Sequence, residues 1–244
     1  IDPENIIEDL PKLYKRFDTP IPTVSIYIYD LLLREAKTRG YDYILNGGSA
    51  DALFAGNYPA FMYNLADLYL SDQSSFKLET DKWINNYGTK DFPKSQKMLI
   101  DFFNKSIDIN IKGKILPIEI RLGENLLDAD FEYSVMDLKS KIYKCSNSYL
   151  RSYIINEYFQ EILPCVVVTE NQSDWFYGTT FSSPYLSKEL IKLCWKIPSK
   201  MKINNGINKI FPRKSFSKEI PNKILKLVQK VGFNAPFDLW IRGP

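Results

Sequence analysis

Tyr43-Ile44-Leu45-Asn46-Gly47-Gly48-Ser49-Ala50-Asp51-Ala52-Leu53-Phe54-Ala55-Gly56 reads as strand, glycine turn and helix. Tyr43-Ile44-Leu45 is a short apolar run of the kind that forms a buried strand. It delivers the chain to Asn46-Gly47-Gly48-Ser49, a turn that glycine fits easily because it lacks a Cβ. Ala50-Asp51-Ala52-Leu53-Phe54 then starts a helix. Free backbone N–H groups converge beyond the strand's carboxyl end, a geometry that suits an anion and phosphate in particular. Asp51, in the first helical turn, is placed to hold a Mg2+ that bridges phosphates. The same residues also read as an ordinary strand-to-helix turn whose acid favours the helix dipole. The turn alone leaves both readings open.

Outward from this turn the pattern is mainly helical. Upstream, Thr23 or Ser25 caps a helix that runs to about Arg39 and stops at Gly40, with a stripe of Ile26, Ile28, Leu31, Leu32 and Ala36. Helix, strand, glycine turn and helix in this order make an α/β unit of parallel-sheet type. An earlier helix covers Glu4–Phe17 on Ile6, Ile7, Leu10, Leu13 and Tyr14. Downstream, helices are expected over Pro59–Leu70, Ser74–Asn86, Pro93–Asn110 and Ser146–Leu163, with a short extended stretch in Gly113–Leu122. Three shorter helices follow, over Ser187–Trp195, Asn208–Phe216 and Pro221–Val228.

Composition narrows the class. The chain has 244 residues, 45% hydrophobic and 25% charged, which at roughly 150 residues per domain is one large domain or two small ones. The longest apolar run, Ile162–Val168, is too short to cross a bilayer as a helix. Ile1-Asp2-Pro3-Glu4 has neither the basic nor the apolar region of a signal peptide. A net charge of +3 is too small to argue for nucleic acid, and no RNA- or DNA-binding signature accompanies it. Cys145, Cys165 and Cys194 are widely spaced and form no CxxC, so they read as reduced thiols of a cytoplasmic protein. Histidine is absent, which removes a Ser-His-Asp triad, a Cys-His dyad and a His-ligated zinc from these residues.

Leu45–Gly56 resembles the SGxGxDExFxGY segment of the synthetase domain of asparagine synthases. Other stretches resemble later family segments in the same order. Glu161-Ile162-Leu163-Pro164 with Thr169–Gly178 is similar to "LP…D…SM..G", and Ser183-Pro184-Tyr185-Leu186-Ser187 to "R-PFLD". Ile197-Pro198 with Lys200 is similar to "lP…K", and Lys209-Ile210-Phe211-Pro212-Arg213-Lys214 to "K-x-x-x-R-x". Ile220-Pro221 and Lys230–Trp240 resemble the closing "lP…K-x-GF-x-x-P…W". The resemblance covers about residues 20–60 and 147–244. It implies an α/β, predominantly helical fold over residues 1–244: part of a parallel-sheet, nucleotide α-hydrolase-like domain, with 60–145 as a family-atypical helical insertion.

The resemblance also implies a chemistry. Such domains activate a carboxylate, aspartate or a related acid, as an acyl-adenylate with Mg-ATP, and ammonia or an amine then displaces AMP. By this match Asp51 binds Mg2+, Lys209 contacts the phosphates as the catalytic lysine, and Asn46, Gly47 and Gly48 lie against the nucleotide. The family's pyrophosphate loop, SGGxDS, occurs nowhere in the 244 residues, so an upstream segment and a glutaminase domain are implied as partners, and the chain alone is expected to be inactive. Several positions depart from the family pattern. Gly48 stands for an acid, Ser49 for a second glycine, Ala52 for a glutamate, and Thr180-Phe181-Ser182 for Glu-x-Arg. These departures keep two alternatives open: a degenerate domain acting as a binding or scaffold module, and a macrocyclase or lactam-forming relative that uses a substrate amine. The lysines between 199 and 230, with Arg213, read either as a solvated face or as an electropositive wall for triphosphate. Asp128, Asp130 and Glu132 read either as a divalent-cation site or as solvated loop acids, the commoner case.

Overall fold

Gly40, in the left-handed region at φ 83°, ends one helix and turns the chain into strand β1, Tyr43–Leu45. β1 pairs in parallel with β2, Thr180–Ser182, in the register Tyr43↔Thr180 and Leu45↔Ser182. The computed structural model describes residues 6–17, 21, 23–90, 94–115, 143–145 and 147–228. The described residues are mostly helical, with this small parallel sheet, and they divide into two compact units. One holds the described residues of 1–49 and 161–192, the other those of 50–160 and 193–228. The expected closing motif at 230–240, the acids Asp128, Asp130 and Glu132, and most of the extended stretch after Gly113 lie outside the described residues.

In the first unit, helix Ile6–Phe17 buries Ile6, Leu13 and Phe17 with Tyr27 of helix Ser25–Thr38. The inner face of the second helix is Tyr27, Ile28, Asp30 and Leu33, and Leu32 is exposed. Of the expected stripe, Ile28 lies on this face and Ile26 and Leu31 pack partly buried against the core, while Leu32 does not; the face also holds an acid, Asp30, outside any apolar stripe. Asp30 pairs with Arg16 and accepts from Tyr177 Oη at 2.9 Å, so a carboxylate occupies the interior fully partnered. The Arg16 guanidinium also lies 3.6 Å from the Phe176 ring centre. Phe176 belongs to helix Val168–Tyr177, which packs on helix Ser25–Thr38 and stops at Gly178, again left-handed. No side chain caps residue 24, and Thr23 Oγ1 accepts from Ser25 N at 3.3 Å instead. Ile44 of β1 is half-buried, whereas Tyr43 and Leu45 are 80% and 77% exposed on the other face.

The second unit is a helical core. Helices Tyr58–Ser71, Gln73–Tyr87, Gln96–Ser106 and Tyr149–Asn156 bury Phe61, Leu65, Trp83, Leu99, Phe103 and Leu150. Three of these four starts are marked by residues that accept from free N–H groups: Asp72 from Ser74 and Ser75, Ser95 from Met98, Ser148 from Arg151. Asp67, from inside the first of these helices, accepts from the Tyr149 and Leu150 N–H groups at 2.7 and 3.2 Å and from Ser148 Oγ at 2.7 Å. The helix expected over Ser146–Leu163 is α only to Asn156, and Glu157–Val167 then widens to π turns around Pro164. Proline has no N–H to donate, which favours such a local change of winding. Strands β3, Ile203–Asn204, and β4, Ile207–Asn208, form a hairpin whose Asn205-Gly206 tip has φ 54° and 63°, the signs of a type I′ turn.

Candidate functional site

The sequence-predicted residues fall on two structures, one in each unit. In the first unit Asn46 organises the turn after β1. Its backbone N–H continues the sheet ladder to Ser182 O at 3.1 Å. Its side-chain Oδ1 accepts from Gly48 N at 2.9 Å, closing an Asx turn, and its Nδ2 donates to Glu170 Oε2 at 3.2 Å. Ser183 Oγ donates to Gly48 O at 2.7 Å, so both ends of the turn are fixed. A Cβ at Gly47 would meet nothing within 4 Å, while one at Gly48 would stand 3.0 Å from Asn46 Oδ1 and 3.5 Å from Glu170 Oε2. Gly47 therefore leaves open space beside the backbone for a ligand, and Gly48 is closed in by its own turn. Ser49, where the resemblance expects glycine, sits at φ 70°. A non-glycine residue there carries strain on the order of 1 kcal/mol, and such strain gathers at functional turns.

Beside this turn, still within the first unit, lies a cavity of about 970 Å3. Ile26, Leu33, Ile44 and Val166 give it apolar walls, and Asn46, Glu170 and Ser173 give it a polar corner. Ser173 is completely buried and its Oγ has no hydrogen-bond partner. Burial pushes the Glu170 carboxyl upward, the Asn46 amide pulls it back, and the neighbouring Asp174 raises it again. Tyr29 Oη donates to Asp174 Oδ2 at 2.8 Å, and its own ionisation is pushed far up by burial and by that carboxylate. The cavity's size is that of a small-molecule site, and the charged groups of its lining among the described residues, Glu161 and Glu170, are acids, which favour an uncharged or cationic group. Glu170 and Ser173 fall in the stretch that resembles "LP…D…SM..G", which gave them no individual role, and Tyr29 carried no motif at all.

In the second unit Asp51 and Lys209 meet. Lys209 Nζ lies 2.5 Å from Asp51 Oδ1, and each side chain keeps about a third of its surface exposed. Asp51 stands in the four-residue helix Ala50–Leu53. Lys209 immediately follows β4 at φ 55° and opens helix Ile210–Ser215. Gly56 lies under the pair: a Cβ there would fall 2.3 Å from Lys209 Cε and 2.5 Å from Asp51 Oδ1. Asn208 Nδ2 donates to Gly56 O at 2.9 Å and fastens this backbone to the residue before Lys209. Ala55, next to Gly56, is at φ 57°, so this unit holds a strained non-glycine position beside Lys209's own.

Two expectations about the lysine-rich segment need correction. Lys202, counted with an electropositive wall, is buried and donates from Nζ to Leu53 O and Cys194 O, each at 2.8 Å. Burial pulls its ammonium down to about 8. Arg213, read with these lysines as part of a solvated face or of that wall, instead donates to the carbonyls of Asn208, Leu225 and Leu227. Among the described residues no three His, Cys, Asp or Glu side chains gather as a metal cluster. Asp51 as one carboxylate still fits Mg2+, which keeps several waters and takes its remaining ligands from phosphate oxygens.

Comparison with known proteins now bears on these residues. Residues 1–244 match the family described as asparagine synthase. The chain belongs to the asparagine synthase family. It is 25% identical over 267 aligned residues to a protein of Bacillus subtilis (strain 168) described as asparagine synthetase [glutamine-hydrolyzing] 1. The alignment covers 100% of this chain and 38% of that relative, so the chain spans well under half the length of the asparagine synthetase it matches. No solved structure matches it significantly. The family match extends across 60–145, where no motif was legible. No helix among the described residues is long and apolar enough to cross a membrane.

Proposed function

We propose that this chain is part of an ATP-dependent amide-forming ligase that activates a carboxylate for attack by ammonia or an amine. The observation that carries the reading is the Asp51–Lys209 pair, a carboxylate and an ammonium at 2.5 Å over a glycine where any side chain would push the pair from its place. In this reading Asp51 holds Mg2+, and Lys209 is the catalytic lysine. Asn46, Gly47 and Gly48 serve the nucleotide through the backbone and the amide of their turn.

The chemistry explains why these groups are needed. A carboxylate oxygen attacks the α-phosphorus of ATP and pyrophosphate departs. The acyl carbon, now carrying AMP as a good leaving group, is attacked by the nitrogen nucleophile and AMP departs. Negative charge grows on the departing phosphates, and the Lys209 ammonium is positioned to neutralise it. Bound Mg2+ supplies Lewis-acid stabilisation of the same oxygens. Without ligand, Asp51 and Lys209 neutralise each other, so neither charge is left unpaired while the site waits.

The finer fold reading, a parallel-sheet nucleotide α-hydrolase-like domain, is supported by the uncovered face of β1. Parallel strands are ordinarily covered on both faces, and Tyr43 and Leu45 are not. We place the missing cover in an upstream segment that also carries the pyrophosphate loop. A glutaminase domain that supplies ammonia, aspartate or a related acid as the carboxylate, a cytoplasmic setting and a helical insertion at 60–145 belong to the same proposal. The test is carboxylate-dependent ATP–pyrophosphate exchange by the full-length protein. Exchange is expected in the wild type and a loss of at least about 100-fold in Asp51→Ala; exchange that survives Asp51→Ala overturns the assignment.

Gly48 and Ala52, where the family pattern has acids, favour a second reading, a degenerate module that binds without turnover. A full-length protein with no Mg2+-dependent affinity for ATP selects it. Gly48 also suits a macrocyclase or lactam-forming relative, whose nucleophile is a substrate amine, and amide products from candidate amines in place of ammonia select that.

A further inference from the structure

We propose that Lys202 is a positioning residue, whose buried side chain grips the helix that carries Asp51 and so sets the Asp51–Lys209 pair. The inference rests on reading that pair as the working one. Lys202 and Lys209 stand at the two ends of a single hairpin. Lys202 immediately precedes β3 and Lys209 immediately follows β4, and Ile203 pairs with Asn208 across the open end. The hairpin therefore brings the two lysines side by side, and both hold the same four-residue helix. Lys209 takes the carboxylate of Asp51, and Lys202 takes the carbonyl of Leu53 two residues on.

A four-residue helix has no independent stability, because a single turn costs more backbone entropy than its bonds return. Within Ala50–Leu53, the Ala50 carbonyl is taken by Phe54 N at 3.0 Å and that of Asp51 by Gly56 N at 2.7 Å. Leu53 O, at the helix end, goes to Lys202. The second Lys202 bond, to Cys194 O, fixes this helix end to a segment outside the hairpin. Lys202 is 4% exposed and has these two carbonyls, not a carboxylate, as its hydrogen-bond partners. Burying an ammonium in this way is costly, and methionine would pack a site of this shape without that cost. The anchoring of two carbonyls is what methionine cannot supply. The far end of the hairpin is held as well, by Glu79, whose carboxylate accepts from Asn205 N and Gly206 N at 2.7 and 2.8 Å. The hairpin is thus pinned at its tip and grips the Asp51 helix at its base.

The test is trace acetylation of the full-length protein, with modification of Lys209 quantified by mass spectrometry against the exposed Lys200. In Lys202→Met, Lys209 modification is expected to rise about fivefold, within the range of coupling between groups that share a contact network. The urea midpoint, measured alongside, confirms that the variant is folded. A folded Lys202→Met with unchanged Lys209 modification overturns the proposal, because a side chain that only fills space has no reason to alter the pair. If Lys202→Met does not fold, Lys202→Gln, which keeps a donor but is too short to reach both carbonyls, decides by the same criterion. The readout needs no turnover. A wild type without exchange activity whose Lys209 responds as expected retains the positioning role and loses the ligase reading. In an active enzyme, Lys202→Met lowers kcat with little change in the KM for ATP.

Discussion

Replacing Gly56 by alanine separates the site from the fold. The new Cβ would lie 2.3 Å from Lys209 Cε and 2.5 Å from Asp51 Oδ1. Carbon atoms rest about 3.5–4.0 Å apart, so the lysine must retreat by roughly 1.2 Å or more. Both groups are ends of side chains that keep about a third of their surface exposed, so they move without disturbing the core. Gly56 has no positive φ that alanine would strain, and alanine lowers the entropy of the unfolded chain by about 0.4–1 kcal/mol. Stability is therefore expected to stay within about 1 kcal/mol of wild type by urea denaturation. Function is expected to respond differently, since misplacing a reacting group by about 1 Å costs on the order of 100-fold. ATP–pyrophosphate exchange in the full-length protein is the assay, with a crystal structure of the variant to report the Asp51–Lys209 distance. Wild-type exchange from a folded Gly56→Ala variant refutes the reasoning, as does an ion pair still at its original distance.

Asp67→Ala is expected to lose about 3 kcal/mol, because it removes a half-buried cap and strands the N–H groups of the buried Tyr149 and Leu150; a chemical-denaturation midpoint near wild type contradicts this. Lys202 gives a pH signature. The unfolded lysine holds its proton to about 10.5 and the folded one releases it near 8, so the unfolded state binds more protons between them and stability rises with pH in that window. Urea midpoints from pH 7.5 to 9.5, below the tyrosine range, should show this rise in wild type and a smaller one in Lys202→Met. Glu170 has the opposite sign. Its folded carboxyl is raised, so its charging destabilises the native state as pH climbs out of the carboxylate range, and Glu170→Gln should gain stability relative to wild type at pH 7 and lose that advantage near pH 4.

The turn was legible because its information is local. Tyr43–Leu45 is a strand, Gly40 ends the preceding helix, and Asp51 stands in the next one, all set by residues within a few positions of each other. The helices expected over 59–70, 74–86 and 93–110 are present as Tyr58–Ser71, Gln73–Tyr87 and Gln96–Ser106, and the caps Asp72 and Ser95 emerge only in the structure. β2 was not legible. Thr180 and Ser182 are exposed and polar, so the strand exists by pairing with β1 and not by its own pattern. The two-residue strands β3 and β4 are likewise defined by their turn. Lys202 has the same chemistry as Lys200 beside it, and only tertiary packing buries one and exposes the other. The Asp51–Lys209 contact joins distant segments, and it was reached through the resemblance, not through spacing.

The parallel pairing of β1 with β2 also constrains the order of assembly. The bond from Ser183 to Gly48 closes a separation of 135 residues, whereas the bonds that form helix Gln73–Tyr87 span a single turn each. Closing so long a loop is entropically unfavourable until contacts at its ends reward it, so long-range parallel pairs form late. Emerging from the ribosome, residues 43–49 must wait for residues 180–183 before the turn acquires its final shape. A nascent chain arrested anywhere between them can fold its local helices and still lack this pairing, so protection of the Asn46 N–H, which donates to Ser182 O, marks a chain extended past residue 182 in pulse-labelled hydrogen exchange.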